Sequence, residues 1–147
     1  MKRLYLDICT LCRPFDDQRF MRIRLETDAY FLIIQHIQRR RYELVVSPAH
    51  YAELSDFEDV TEREKVRALL VTHGTARPWD LGAARQRAER LFADGLGPAD
   101  AAHVSFAEQG ADCLITCDDR LWRRARRLKV GVAVVRPVEF CLGEDLR

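Results

Sequence analysis

The sequence predicts an α/β fold, a mainly parallel sheet layered with helices, and three observations carry that prediction. Apolar runs of strand length alternate with segments of helical periodicity along the whole chain. Helix starts are signposted, by Ser47-Pro48 as N-cap and first-turn proline and by Gly97-Pro98. With 48% hydrophobic residues, the 147-residue chain can fill one core, and no linker, repeat or low-complexity segment divides it. Residues 1–147 therefore read as a single domain.

Taken in order, residues 3–7 (RLYLD) form an opening strand that ends in an acid, followed by a turn-like stretch around Pro14, Asp16 and Asp17. Across residues 19–41, Phe20, Ile23, Tyr30, Ile33, Ile34 and Ile37 recur at helical spacing and predict one long amphipathic helix. Residues 43–46 (ELVV) read as a second buried strand, and the helix after Ser47 carries Tyr51, Glu53 and Leu54. A further helix is expected over 61–72, a break at His73-Gly74, a short strand over 76–79 and a helix over 81–92 that Gly95 and Gly97 stop. The next helix runs from Pro98 to about Gln109 and ends at Gly110. Residues 113–116 (CLIT) then form a buried strand, 121–128 a helix and 130–135 the last strand.

The 24 Lys and Arg nearly cancel the 23 Asp and Glu, so a net charge of +1 gives no global attraction to nucleic acid or an anionic membrane. Local clustering has to supply any such pull. No run approaches the roughly 20 apolar residues needed to span a bilayer, and an unexported, cytoplasmic chain is the expectation. Five cysteines are an odd number, better suited to free thiols than to a disulfide framework. Cys9 and Cys12 form a lone C-x-x-C, and a structural zinc site would need a second converging pair that Cys113 and Cys117 do not supply in spacing.

Four acids stand out by position. In open parallel sheets ligands bind beyond the carboxyl ends of the strands, where strand order reverses. Asp7 closes the first strand and Asp118 follows CLIT by one residue; Asp100 lies in the first turn after Gly97-Pro98, and Glu53 on the second turn of a helix that follows a strand. Like charges that close raise one another's pKa unless a cation intervenes, and oxygen-only donors suit Mg2+ or Mn2+. A hard divalent ion can activate water and stabilise charge developing on a phosphate, which makes phosphodiester hydrolysis the natural reaction. Each acid also has a plainer reading. Asp7 and Asp118 could cap helices, Asp100 could favour the positive end of its helix, and Glu53 could be one more solvated side chain.

These residues resemble the PIN domains, whose members include the VapC-type toxins of toxin-antitoxin pairs. The resemblance spans nearly the whole chain: the strand ending in Asp7, Glu53 after VVSP, the segment ADAAHVSFAEQGADCLITCDD holding Asp100 and Asp118, and GVAVV before Pro137. It implies a three-layer α/β/α sandwich with about five strands, mainly parallel, in which the first strand neighbours the fourth. It further implies metal-dependent endonucleolytic cleavage, usually of RNA, with Asp7, Glu53, Asp100 and Asp118 as Mg2+ or Mn2+ ligands. Thr116 matches the hydroxyl that supports the first aspartate or a metal-bound water, though a Thr near a strand end can simply cap the next turn. Two departures stand out: Ile8 occupies the position where many relatives carry a small hydroxyl or Asn, and Asp119 sits beside Asp118. The stretch RPFDDQ (residues 13–18) looks like that of one branch of PIN proteins, with Asp16 and Asp17 as loop acids. His103, one turn after Asp100, could reach a phosphate or a metal-bound water or could be a packed histidine, and His50 carries the same ambiguity.

Arg120, Arg123, Arg124, Arg126, Arg127 and Lys129 crowd one short helix that begins beside the acids, so Arg120, Arg123, Arg124 and Arg127 are the candidate RNA-phosphate contacts. A solvated helix face is the competing account; Arg39, Arg40 and Arg41 are weaker candidates. Three alternatives remain open: a catalytically silent PIN fold that binds RNA or protein, a toxin masked by an antitoxin protein, and a homodimer formed through exposed apolar residues of the long helix. A phosphatase of the haloacid-dehalogenase kind also begins with a strand-end aspartate, but its chemistry wants an acid two residues on, where Cys9 stands.

Overall fold

Five short strands are each flanked by helices that cover them. The computed structural model describes residues Met1–Arg147. The strands are β1 (Lys2–Leu6), β2 (Tyr42–Val45), β3 (Gly74–Thr75), β4 (Cys113–Ile115) and β5 (Ala133–Val135), all parallel, in the order β3-β2-β1-β4-β5. The helices are α1 (Ile8–Leu11), α2 (Met21–Gln38), α3 (Pro48–Ser55), α4 (Val60–His73), α5 (Leu81–Ala93), α6 (Pro98–Gly110), α7 (Asp119–Arg127) and α8 (Pro137–Gly143), with a 3-10 turn over Arg13–Phe15.

Alternation along the strands builds the three layers. Leu4, Leu6, Leu44, Val46, Cys113 and Ile115 face one side, where α2, α4 and α8 cover them with Tyr30, Ile33, Ile37, Leu70 and Phe140. Tyr5, Val45, Leu114 and Val134 face the other, against Leu91 of α5, Val104 and Ala107 of α6, and Leu121 and Ala125 of α7. Strands buried on both faces read as continuous apolar runs, which is why RLYL and CLI carry no polar alternation. The result is the parallel α/β/α sandwich the resemblance implies, with β1 beside β4.

Several expectations need correcting. The strand expected over 76–79 is instead Gly74–Thr75, paired as Leu44↔Gly74 and Val45↔Thr75. Pro78 has no N–H to give a ladder, and the chain leaves the sheet before it. The last strand covers only Ala133–Val135, because Lys129 takes a positive φ of 52° and Val130 N–H still bonds back to Ala125 O. Phe20 precedes α2 and is 61% exposed, so the buried stripe of the long helix starts later than its apolar spacing predicts. Residues 8–11, expected as part of a loop, form α1, and α8 was not expected at all.

The RPFDDQ stretch is an anchor for α2. Arg13 Nη2 donates to Glu26 Oε1 at 2.8 Å and Nη1 to Asp16 at 2.9 Å, while Gln18 Nε2 ties the loop through the Arg13 and Asp16 carbonyls. Glu26 is buried, and Arg22 supplies a second cation at 3.3 Å. Asp17 pairs with its neighbour Arg19 and takes no other part.

Gly74 is where α4 hands over to β3, and a Cβ there would run into the Leu70 carbonyl and Val46 Cγ2. Because one obstacle is backbone, it cannot swing aside. Gly74→Ala is expected to cost about 1–3 kcal/mol, lowering Tm by about 2–4 °C per kcal/mol; thermal unfolding checks it.

Candidate acidic site

Strand order reverses between β1 and β4: β2 and β3 lie to one side of β1, β4 and β5 to the other. That switch point places Asp7, next after Leu6, opposite Thr116, next after Ile115, since Leu6 pairs with Ile115. Asp7 N–H donates to Ile115 O at 3.3 Å, so the backbone holds the two strand ends together.

Asp7 is 4% exposed and caps α1. Its Oδ1 accepts from Thr10 N–H (3.1 Å), the Thr10 hydroxyl (2.7 Å) and the Cys9 thiol (3.1 Å). Burial lifts this carboxyl above its ordinary value, and the hydroxyls of Thr116 and Thr10 and the Cys9 thiol oppose the lift. The hydroxyl support that Ile8 cannot give thus comes from Thr10, fully buried and also bonded to Ile115 O. Thr116 Oγ1 in turn accepts from Asp118 N–H at 3.0 Å, which fixes the turn that leads from β4 to α7.

Asp118 caps α7, its Oδ1 accepting from Arg120 N–H (2.8 Å) and Leu121 N–H (3.2 Å). Asp100 stands in the first turn of α6. Its carboxyl is pushed up to about 6, first by burial and then by the charges of Asp118 and Asp7, with Glu53 adding to them and His103 opposing. That repulsion is the mark of four acids sharing one edge. Glu53, partly exposed on α3, lies with its Oε2 3.4 Å from His103 Nε2.

The neighbouring Asp119 belongs to a different arrangement. Arg22 grips both its oxygens at 2.7 Å, and Arg136 adds a contact at 2.8 Å, which holds the carboxyl down at about 2. Asp118, not Asp119, is the acid whose charge Asp100 feels.

All five cysteines are free. Cys12 and Cys113 pack in the core and Cys9 serves Asp7. The C-x-x-C here spans the short helix α1, from its second residue to its C-cap Cys12, with one thiol at the acidic edge and one in the apolar layer.

In donor type and charge the four carboxylates suit a hard divalent cation, since burial and then acidic neighbours raise Asp100 and no arginine pairs with Asp7, Glu53, Asp100 or Asp118 among the ion pairs. As the side chains stand, no three Asp, Glu, His or Cys groups converge closely enough to enclose an ion. The acids share an edge without forming a closed cage.

Of the basic residues on α7, Arg120, Arg123 and Arg127 point to solvent, whereas Arg124 donates to Gly95 O at 2.7 Å and pins the α5–α6 turn. Arg126 and Arg136 lie over the Trp122 ring at 4.5 and 4.2 Å. Sequence reasoning passed over Arg22, Arg136, Tyr5, Thr10 and the bond of Ser47 to Tyr5. Only Ser47 carried a readable signal, as an N-cap. His50 is structural: its Nδ1 accepts from Ser47 N–H (3.0 Å), its Nε2 donates to Leu6 O (2.7 Å), and burial pushes it down to about 3, so it stays neutral.

Comparison with known proteins adds the fold. No protein-family model matches the chain, and no curated protein does. Among solved structures, FitAcB from Neisseria gonorrhoeae matches with a TM-score of 0.51 at 17% identity, over 91% of this chain and 97% of that chain. The fold is PIN-like. No helix of the chain is long and apolar enough to cross a membrane.

Proposed function

We propose that this chain is a metal-dependent endoribonuclease that hydrolyses RNA phosphodiester bonds at the edge where Asp7, Glu53, Asp100 and Asp118 meet. The observation that carries the reading is the placement of Asp7 and Asp118 beyond paired strand ends at the switch point of the sheet, with Asp100 on the first turn of α6 near enough to feel both charges. Bound Mg2+ or Mn2+ would supply charge neutralisation, an acidified water and stabilisation of the charged phosphate. Asp7, Glu53, Asp100 and Asp118 would hold it. Thr10, Cys9 and Thr116 keep Asp7 and the Asp118 turn in place. In the reaction a water oxygen forms a bond to phosphorus, one P–O ester bond breaks, and the water's proton passes by way of a carboxylate to the leaving alkoxide.

The substrate path we propose runs along α7, which starts at Asp118 and carries Arg120, Arg123 and Arg127 on one exposed face. By the sequence resemblance, the protein would act as the toxin of a toxin-antitoxin pair in the cytoplasm, with a small antitoxin protein as partner. The second reading is a silent RNA- or protein-binding module, and the absence of any three converging ligands favours it.

Purified protein incubated with a mixed single-stranded RNA pool in Mg2+, in Mn2+ and in chelator separates the two. Metal-dependent fragments support the nuclease; RNA or protein binding without fragments in either metal supports the module. Replacing Arg120, Arg123 and Arg127 together by Gln is expected to raise KM and to flatten the dependence of log affinity on log salt by about 2, at roughly 0.7 per phosphate contact on single strands. Unchanged kcat with that flattening places them on RNA, and an unaltered salt slope removes them from it.

A further inference from the structure

Beneath Glu53 lies a buried polar chain that joins β1, α3 and α6. Tyr5, fully buried, has its hydroxyl 2.7 Å from Ser47 Oγ and 2.6 Å from His103 Nδ1. His103 is 2% exposed, and its Nε2 faces Glu53 Oε2 at 3.4 Å without a hydrogen-bond partner. Buried polar atoms left without a partner are uncommon, and this one lies beside a carboxylate.

Counting protons decides which way the chain runs. Ser47 Oγ already accepts from Ala49 N–H at 3.2 Å. If Tyr5 donated to Ser47, a neutral His103 could bond to Tyr5 only by donating from Nδ1, and Nε2 would turn a lone pair on the Glu53 carboxylate. That arrangement is repulsive. If Ser47 donates to Tyr5 and Tyr5 to Nδ1, then the proton of His103 sits on Nε2, on the side of Glu53. Burial raises the Tyr5 phenol well above its ordinary value, so its proton stays in the chain. His50 stacks on the Tyr5 ring at 4.4 Å and closes the cluster from the other side.

We propose that His103 is a positioning residue for Glu53, an imidazole whose Nε2–H orients the carboxylate while the Ser47–Tyr5 chain sets its tautomer. The assignment rests on the reading of Glu53 as one of the site carboxylates. The same chain locks the start of α3 and the first turns of α6 to the strand that delivers Asp7, so three elements bearing acids share one hydrogen-bonded post.

Two measurements test it. Imidazole 15N spectra of the metal-free protein at neutral pH should show His103 as the Nε2–H tautomer, and Tyr5→Phe should shift it toward a tautomer mixture. Calorimetric titration with Mn2+ should show affinity falling about 10- to 100-fold in His103→Phe, with partial recovery in His103→Gln, which keeps an N–H near the same place. An Nδ1–H tautomer or an imidazolium overturns the assignment, as does wild-type Mn2+ affinity in a folded His103→Phe. Failure of the wild type to bind Mn2+ at all removes the metal reading of the site, and the role of His103 toward it, while the spectra still report the chain itself.

Discussion

Asp7→Asn is expected to abolish metal-dependent RNA cleavage, by about 10^3-fold, while leaving the fold intact. Loss of one charged ligand removes several kcal/mol of stabilisation of the phosphate transition state, at about 1.4 kcal/mol for each factor of ten. The amide keeps what the carboxylate does for the backbone: its oxygen still accepts from Thr10 N–H, the Thr10 hydroxyl and the Cys9 thiol, and Asn caps a helix as well as Asp. Since burial already raises the Asp7 carboxyl, removing its charge should hold or raise Tm in chelator. Asp119→Asn is the contrast. That acid is committed to Arg22 and Arg136, so its loss should leave kcat within a few-fold and show in thermal unfolding instead. Single-turnover cleavage of one RNA by the three proteins reads both effects. Cleavage by Asp7→Asn within a few-fold of wild type would sink the carboxylate assignment.

The contrast between Asp118 and Asp119 also shows where sequence reading stops. Strand-end logic brings Asp7 and Asp118 to the same edge because both follow apolar runs that end parallel strands, the family resemblance makes those strands neighbours, and Gly97-Pro98 announces the helix of Asp100. Those signals are local. Which of two adjacent acids faces the edge depends on Arg22 and Arg136, contributed from α2 and the start of α8, elements that are distant in sequence. The same holds for Tyr5, His103 and Ser47, whose hydrogen bonds span separations of 42 and 98 residues. Glu26 is the sharpest case. In a helical pattern it reads as a solvated residue, yet Arg13 covers it from a turn whose shape no periodicity encodes. Short helices escape for a different reason: α1 and α8 have too few turns for a repeat to register, and α1 is held by the Asp7 cap.

Asp100→Asn is expected to stabilise the metal-free protein at neutral pH and to abolish its stabilisation by divalent cations. In the folded chain the Asp100 carboxyl is raised from 3.8 to about 6. A folded state with the higher pKa binds more protons, so this group's contribution to stability is present below 3.8 and is lost as pH rises through 6. By pH 7 the ionised group opposes folding by about two pH units at about 1.4 kcal/mol each; discounted for partial exposure to solvent, that becomes about 1–2 kcal/mol. Asn removes the penalty, and a rise of about 2–4 °C per kcal/mol follows for a chain of this size. A cation relieves the same repulsion, and a ligand that binds only the folded state adds stability as its concentration exceeds its dissociation constant. The two routes therefore exclude one another: Mn2+ should raise the Tm of the wild type and leave Asp100→Asn where chelator left it. Unfolding curves from pH 3 to 8 should show the wild type and Asp100→Asn separating as pH rises between 3.8 and about 6 and running parallel above it. Parallel curves between pH 3.8 and 6 would mean that neither burial nor its acidic neighbours press on Asp100, and the argument for a shared acidic edge would lose its support.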